Sequence, residues 1–469
     1  MAVAELARVR ATSQQPPNLN SGEFSDVGLR RLFALHRDQR GSISFATVFA
    51  LLLLTMLLGM VINTGRQIDS KIKLQDAADA STYSGGIVLA RGMNSLAYSN
   101  HLLCEVMAMT AFLREGRDRH ADPLVSEILA AWNKIGPVLQ QSGFEKFEDL
   151  GRAIPQKTPL EQNMVTAYGD WMAASSEIVL PVLEEILIVE AIPDFQRQVV
   201  QATPAIAQTA TYDIANRHTG NPSQRDRPRG PLVGVLWRTL VDPVGGGGEQ
   251  MRGTLPAVDP ADDFDPEAVQ ARGPAIAERD RLARHYLRLW NNAMMQPFDQ
   301  HAKMSQFGRL WRGFTCAQLE QVIQENSVRN YPHVIRDPSL VASAGSPYID
   351  DYQFVGVAYR RKVIPAGPRF FTDSLASDNQ GFAQGMLFIP HRRIVWYTID
   401  PMGIRHPVRQ GVPTHWDLWN QNWTFQLVPA TSPTVAEILA AQPYTSGASL
   451  TLPGLSAADA TDLRRLTTH

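Results

Sequence analysis

Residues 43–62, ISFATVFALLLLTMLLGMVI, form an uncharged run that leads through NTGRQIDS into KIKLQDAADASTYSGGIVLARGMNSLAYSNHLL, with no proline between Gly41 and Arg119. A helix rises about 1.5 Å per residue, so a run of this length matches the ~30 Å hydrocarbon core of a bilayer. It predicts a membrane anchor. The Ala, Leu, Gln, Asp and Lys content behind it predicts that the helix continues beyond the membrane to about residue 113. Leu89, Met93, Leu96, Asn100, Leu103, Met107 and Thr110 recur at steps near three and four. That stripe faces either the chain's own later helices or another membrane subunit. Gly85-Gly86 is the expected place for a bend.

Orientation follows from the flanks. Arg8, Arg10, Arg30, Arg31, Arg37 and Arg40 precede the span, whereas Arg66, Lys71 and Lys73 behind it are interspersed with Asp69, Asp76 and Asp79. Positive charge stays on the cytoplasmic side, so the N-terminus is expected inside and the bulk exported. A cleaved secretory signal is the competing reading, but such h-regions are shorter and end at a small-residue cleavage site, so retention as an anchor is favoured. Residues 25–36 carry Val27, Leu29, Leu32, Phe33 and Leu35 beside Arg30 and Arg31, which suits either the inner membrane surface or a disordered tail.

The expected organisation is a cytoplasmic tail (1–42), a transmembrane helix (43–62), a helical exported region (63–218), a linker-rich region (219–264), a helical region (265–330) and a β-containing C-terminal region (331–469). Helices are predicted over 123–135, capped by Asp122, and over 160–210, the latter divided by Pro181, Pro193 and Pro204. Residues 180–192 read as a packed amphipathic helix too short to span a bilayer. TGNPSQRDRPRGP and Gly245 to Gly248 carry the linker composition, and a further helical stretch runs from Pro266 to about Glu325. Aromatic and β-branched residues over 352–364, 385–399 and 423–428 predict strands. The fold class is α+β, with a small antiparallel C-terminal sheet.

Hydrophobic content of 44%, charged content of 19% and a net charge of −2 describe ordinary folded protein and give no reason to expect nucleic acid. No HExxH, GxSxG or paired CxxC occurs, and GGGGEQ lacks the lysine and hydroxyl of a phosphate-binding loop. Asp259, Asp262, Asp263, Asp265 and Glu267 lack calcium-loop spacing and read as a capped helix start. His391, His406 and His415, near Asp400 and Asp417, lack ordered ligand spacing, and Arg360, Arg361, Lys362, Arg392 and Arg393 read as a solvated strand face. No catalytic, cofactor or metal site is expected, and the chain is not read as an enzyme. Cys104 and Cys316 are either one exported disulfide or two apolar thiols.

RGSISFATVFALLLLTMLLGMVINTGRQIDSKIKLQDAADASTYSGGIVLARGMNSLAYSNHLL resembles the N-terminal region of TadG-like proteins of the Flp (tight adherence) pilus and secretion machinery. The Arg40-Gly41 pair, the Gln75-Asp76-Ala77-Ala78-Asp79-Ala80 element and the stretch from Ala90, Arg91, Gly92, Met93 and Asn94 to Asn100 carry it, within residues 40–109. HWDLWNQNWTFQLVPAT is similar to a tryptophan-containing C-terminal segment of some long TadG-like proteins. Ala46 stands where pilin-like subunits carry glutamate, so processing before Ser42 is not expected, and the Asp-x-Ser-x-Ser site of some relatives is missing. The resemblance implies a single-pass assembly component in the bacterial inner membrane, with other Tad-like subunits as partners. Gln75, Ala77, Ala78, Ala80, Ser81, Ser84 and Gly85 form its thin helix-packing face. A membrane-anchored exported enzyme or ligand binder is the alternative.

Overall fold

The computed structural model describes residues 40–218, 233–240, 257–300, 306–335, 353–361, 379–390, 394–399, 405–409 and 418–428. The chain divides into two compact units, Met1–Ile68 and Asp69–His469. One helix, α1 (Arg40–Asp118), runs through both sequence ranges without interruption. In the first unit Ser44–Gly65 is long and apolar enough to cross a membrane and is exposed throughout. Its hydroxyls are satisfied locally: Thr47, Thr55 and Thr64 Oγ1 donate to the carbonyls of Ser44, Leu52 and Met60 at 2.8–2.9 Å. Of the expected cytoplasmic tail, 1–42, residues 1–39 lie outside the described ones and Arg40 begins α1.

The second unit is α+β. Helices α2 (Ala121–Gln140) and α3 (Glu145–Ile188) form an antiparallel hairpin turned at Gly143, whose φ is +73°. Gly151 permits its close crossing: a Cβ there would lie 2.6 Å from both Gly136 O and Gln140 N. Thr158 Oγ1 donates to Asn133 Oδ1 at 2.7 Å across the same interface. α3 buries residues from Gly151 to Leu187 at steps of three and four, and this packing carries it through Pro155, Pro159 and Pro181. The predicted division at Pro181 is therefore corrected. The break falls after α3, where Glu190 adopts a φ of +52°, and α4 (Ala191–Arg217) follows. Pro193 sits in the first turn of α4, where a missing N–H costs little, and Pro204 lies inside it. The later helical stretch is two helices, α5 (Pro266–Gln300) and α6 (Phe307–Glu325).

The strands are β1 (Val233–Leu240), β2 (Ala257–Val258), β3 (Val334–Ile335), β4 (Gln353–Arg361), β5 (Asn379–Phe388), β6 (Ile394–Ile399), β7 (Arg405–Arg409) and β8 (Thr424–Val428). A four-stranded antiparallel sheet has the order β1-β4-β5-β8, and β2-β3 and β6-β7 form two-stranded ladders. β1 comes from the apolar LVGVLWRTLV inside the linker-rich segment and joins the sheet beside β4, a role its flanks concealed.

Among the described residues two large hydrophobic clusters form around α1, with a smaller one at Ala77 and Ala78. One gathers Leu103, Met107 and Phe112 with the helices, and its aromatic centre sets Tyr168 5.4 Å and Phe307 5.7 Å from Trp311, centroid to centroid. The other gathers Leu89, Met93 and Leu96 with Ala207, Leu387, Trp423 and Phe425. Buried polar groups close the helix ends. Arg279 of α5, fully buried, donates from Nη1 to the carbonyls of Asn326, Arg329 and Asn330 and pairs with Asp280. Asn330 Nδ2 in turn donates to Leu187 O at the end of α3. Glu115 accepts from Ala121 N at 3.0 Å and lies 2.9 Å from His120 Nδ1; burial pushes its carboxyl up, against the pull of these two partners.

Cys104 and Cys316 are both free thiols in the structure. Cys104 lies fully buried in the helical cluster, and burial pushes its thiol far up, whereas Cys316 is exposed on α6. Maleimide added to the native protein is expected to modify Cys316 alone, and both cysteines after denaturation without reductant. Mass spectrometry showing a linked Cys104–Cys316 peptide would refute this arrangement.

Candidate interaction site

The predicted helix-packing residues lie in the first turns of α1 that enter the second unit. Gln75, Ala77, Ala78, Ser81 and Gly85 are buried, and Ala80 and Ser84 are half-buried. Small side chains here let neighbours approach the helix axis. Ala77 and Ala78 pack with Ala215 of α4 and Ala383 of β5, so the chain's own elements occupy this face. Its hydroxyls bond back along the helix: Ser81 Oγ donates to Ala77 O at 2.6 Å and Thr82 Oγ1 to Ala78 O at 2.8 Å. Gln75 Nε2 donates to Asp79 Oδ1 at 2.8 Å.

α1 continues as helix through Gly85-Gly86. Gly86 gives Phe425 a seat: a Cβ on Gly86 would fall 2.4 Å from the Phe425 ring, and one on Gly385 of β5 would fall 2.2 Å from its Cζ. The ring thus fills a slot between helix and sheet where neither backbone bears a side chain. Register places Phe425 opposite Leu387, and Ala383, Gly385 and Leu387 form the buried face of β5. Tyr83 closes the slot edge-on at 6.2 Å.

Above the slot, amides on α1 hold the backbone of the C-terminal segment. Asn94 Nδ2 donates to Trp423 O at 2.9 Å while its Oδ1 accepts from Trp423 N at 2.8 Å. Asn100, fully buried, donates to Leu418 O at 3.1 Å and His333 O at 2.8 Å and accepts from His333 N at 3.1 Å. His101 places Nδ1 2.6 Å from Tyr286 Oη and Nε2 2.8 Å from Trp419 O. The two stretches singled out in the sequence, Ala90 to Asn100 and HWDLWNQNWTFQLVPAT, therefore meet in space, 318 to 329 residues apart along the chain. Gln196 of α4 completes the group, and burial drives the pKa of His333 down to about 4.

The acidic cluster performs local work. Asp259 pairs with Arg197 at 2.6 Å and accepts from Ala261 N, Asp262 accepts from Phe264 N, and Asp263 pairs with Arg272. Among the described residues no three His, Cys, Asp or Glu side chains converge in a metal set. His391, His415, Asp400, Asp417, Lys362, Arg392 and Arg393 lie outside the described residues; of His406 only its place in β7, opposite Thr398, is described.

Residues 41–90 match the family model described as Flp pilus-assembly TadE/G-like. No curated protein and no solved structure matches the chain. The matched segment contains the apolar span, the small-residue face and Gly86.

Filling the slot is expected to destabilise the second unit. Gly86→Ala forces a methyl into the ring, at a cost of about 1–3 kcal/mol, and Phe425→Ala leaves a cavity costing about 3–5 kcal/mol. Chemical denaturation of the single and double variants forms a cycle in which Phe425→Ala relieves the cost of Gly86→Ala. Additive effects would show that the two positions do not touch.

Proposed function

We propose that this protein is a membrane-anchored assembly component of a Flp-type pilus or secretion apparatus, acting through protein–protein contacts and not as an enzyme. The observation that carries the reading is the family match over 41–90, which spans both the apolar helix and the small-residue turns behind it. In this reading Ser44–Gly65 lies once across the bacterial inner membrane, with residues before it cytoplasmic and the second unit exported. The arginine excess before the span supports that direction. The partners are other Tad-like subunits; neither nucleic acid nor a cofactor takes part.

Because α4 and β5 cover Ala77 and Ala78, subunit contacts belong to surfaces that remain exposed. Tyr98 and Leu102, 66% and 48% exposed on successive turns of α1, are such positions. Deleting the gene in its own host is expected to abolish surface pili, and the wild-type chain is expected to restore them. Protease added to spheroplasts is expected to remove the second unit. Piliation unaffected by the deletion would overturn the assembly role, and protection of the second unit until lysis would overturn the orientation.

A further inference from the structure

The two hydrophobic clusters follow one another along α1 but do not merge there. Leu89, Met93 and Leu96 belong to the sheet-side cluster, and Leu103 and Met107 to the helical one. At Ser99 and Asn100, between them, the helix meets a buried polar seam. Gln196 Nε2 donates to Ser99 Oγ and to Asn100 Oδ1, each at 2.7 Å. Its Oε1 lies 3.0 Å from Nδ1 of His333, whose side chain is 1% exposed. An amide oxygen only accepts, so this pattern assigns the proton of the neutral ring to Nδ1 and leaves Nε2 bare.

A second proton must then enter at Nε2 and place a full charge in the seam. The charged groups that act on it are Asp259, which favours the imidazolium, and Arg197 of α4, which opposes it. These two are paired with each other at 2.6 Å, so their fields largely cancel and the cost of burial dominates.

We propose that the seam is a proton-sensitive latch, in which protonation of His333 uncouples the sheet-side cluster, with β5 and β8, from a helical cluster that stays folded. The sign follows from the direction of the shift. His333 is lowered from 6.5 to about 4 in the latched state, so the latch holds at full strength above pH 6.5 and weakens as pH falls toward 4. Between those values only the opened state takes up the proton. Opening should gain roughly 30-fold at pH 5 relative to pH 7.5. The helical side responds in the opposite sense: the buried Glu115 is shifted upward, so acid favours it in the folded form. The latch is independent of the assembly role, and its test does not involve pili.

Hydrogen exchange of the full-length protein in detergent, corrected for the intrinsic pH dependence of exchange, reads both clusters at once. From pH 7.5 to pH 5, protection of β5 and β8 amides is expected to fall by roughly 30-fold while that of α2 and α3 holds. In His333→Gln the fall should disappear. Should that variant fail to fold, Asp259→Asn gives a second reading: removing the carboxylate that favours the imidazolium lowers the latched-state pKa further, so the onset near pH 6.5 should stay while the loss of protection continues below pH 4. Equal loss of protection in both clusters, or a fall that persists unchanged in His333→Gln, would overturn the latch; so would a fall in Asp259→Asn that levels off at pH 4 as in the wild type.

Discussion

A helix at the centre of a fold has no backbone groups to offer, because its N–H and C=O groups are already bonded to one another. Irregular chain laid against such a helix brings unpaired backbone groups with it, and burying them unpaired would cost about 1–3 kcal/mol each. Here the helix answers with side-chain amides. Asn94 offers both halves of its amide to the backbone of Trp423, and Asn100 serves Leu418 and His333 together. An amide both donates and accepts at one position, which is why asparagine suits these two sites. Without those contacts the approach to β8 could not lie dry against α1, and the ring of Phe425 would not be delivered to its slot.

Small residues set the distance and the amides set the register. Ala77 and Ala78 let α4 and β5 close on the helix, and Gly86 opposite Gly385 lets a whole aromatic ring enter between helix and sheet. The apolar gain is concentrated there: burying a phenylalanine stabilises by roughly 1.5–3 kcal/mol, provided that the cavity fits it.

Much of this was legible in the sequence. The uncharged run and the proline-free stretch behind it defined α1, and its periodic stripe from Leu89 to Thr110 is buried. Aromatic and β-branched runs located β4 and β8 within a few residues, whereas the single run 385–399 covers the end of β5 and all of β6, which pair in different sheets. The errors arose where distant packing overruled local preference. Pro181, read as a break, lies inside α3 because its regular buried stripe holds the helix together, and Pro204 lies inside α4; the break itself falls at Glu190, three residues before Pro193. Gly85-Gly86 reads locally as weakness, yet its use depends on a ring 339 residues away, from Gly86 to Phe425 (425 minus 86). Nor could two cysteines alone reveal that one is buried and the other exposed.

The thin face also bears on how a family match should be read. A small-residue stripe just beyond a membrane helix suggests contact with another subunit, because such stripes let helices meet closely. In this chain the close approach is made by α4 and β5, so the matched segment doubles as core for the residues that follow it. A core helix constrains sequence on the face it buries, which here includes Ala77, Ala78, Ser81 and Gly86, and leaves the opposite face free to vary. Under the proposed assembly role, partner contacts would fall to that outer face and to the body, where Tyr98, Leu102 and Arg91 lie exposed. The residues matched by the family model thus include a buried face that serves the chain's own fold, distinct from the exposed face left for contacts.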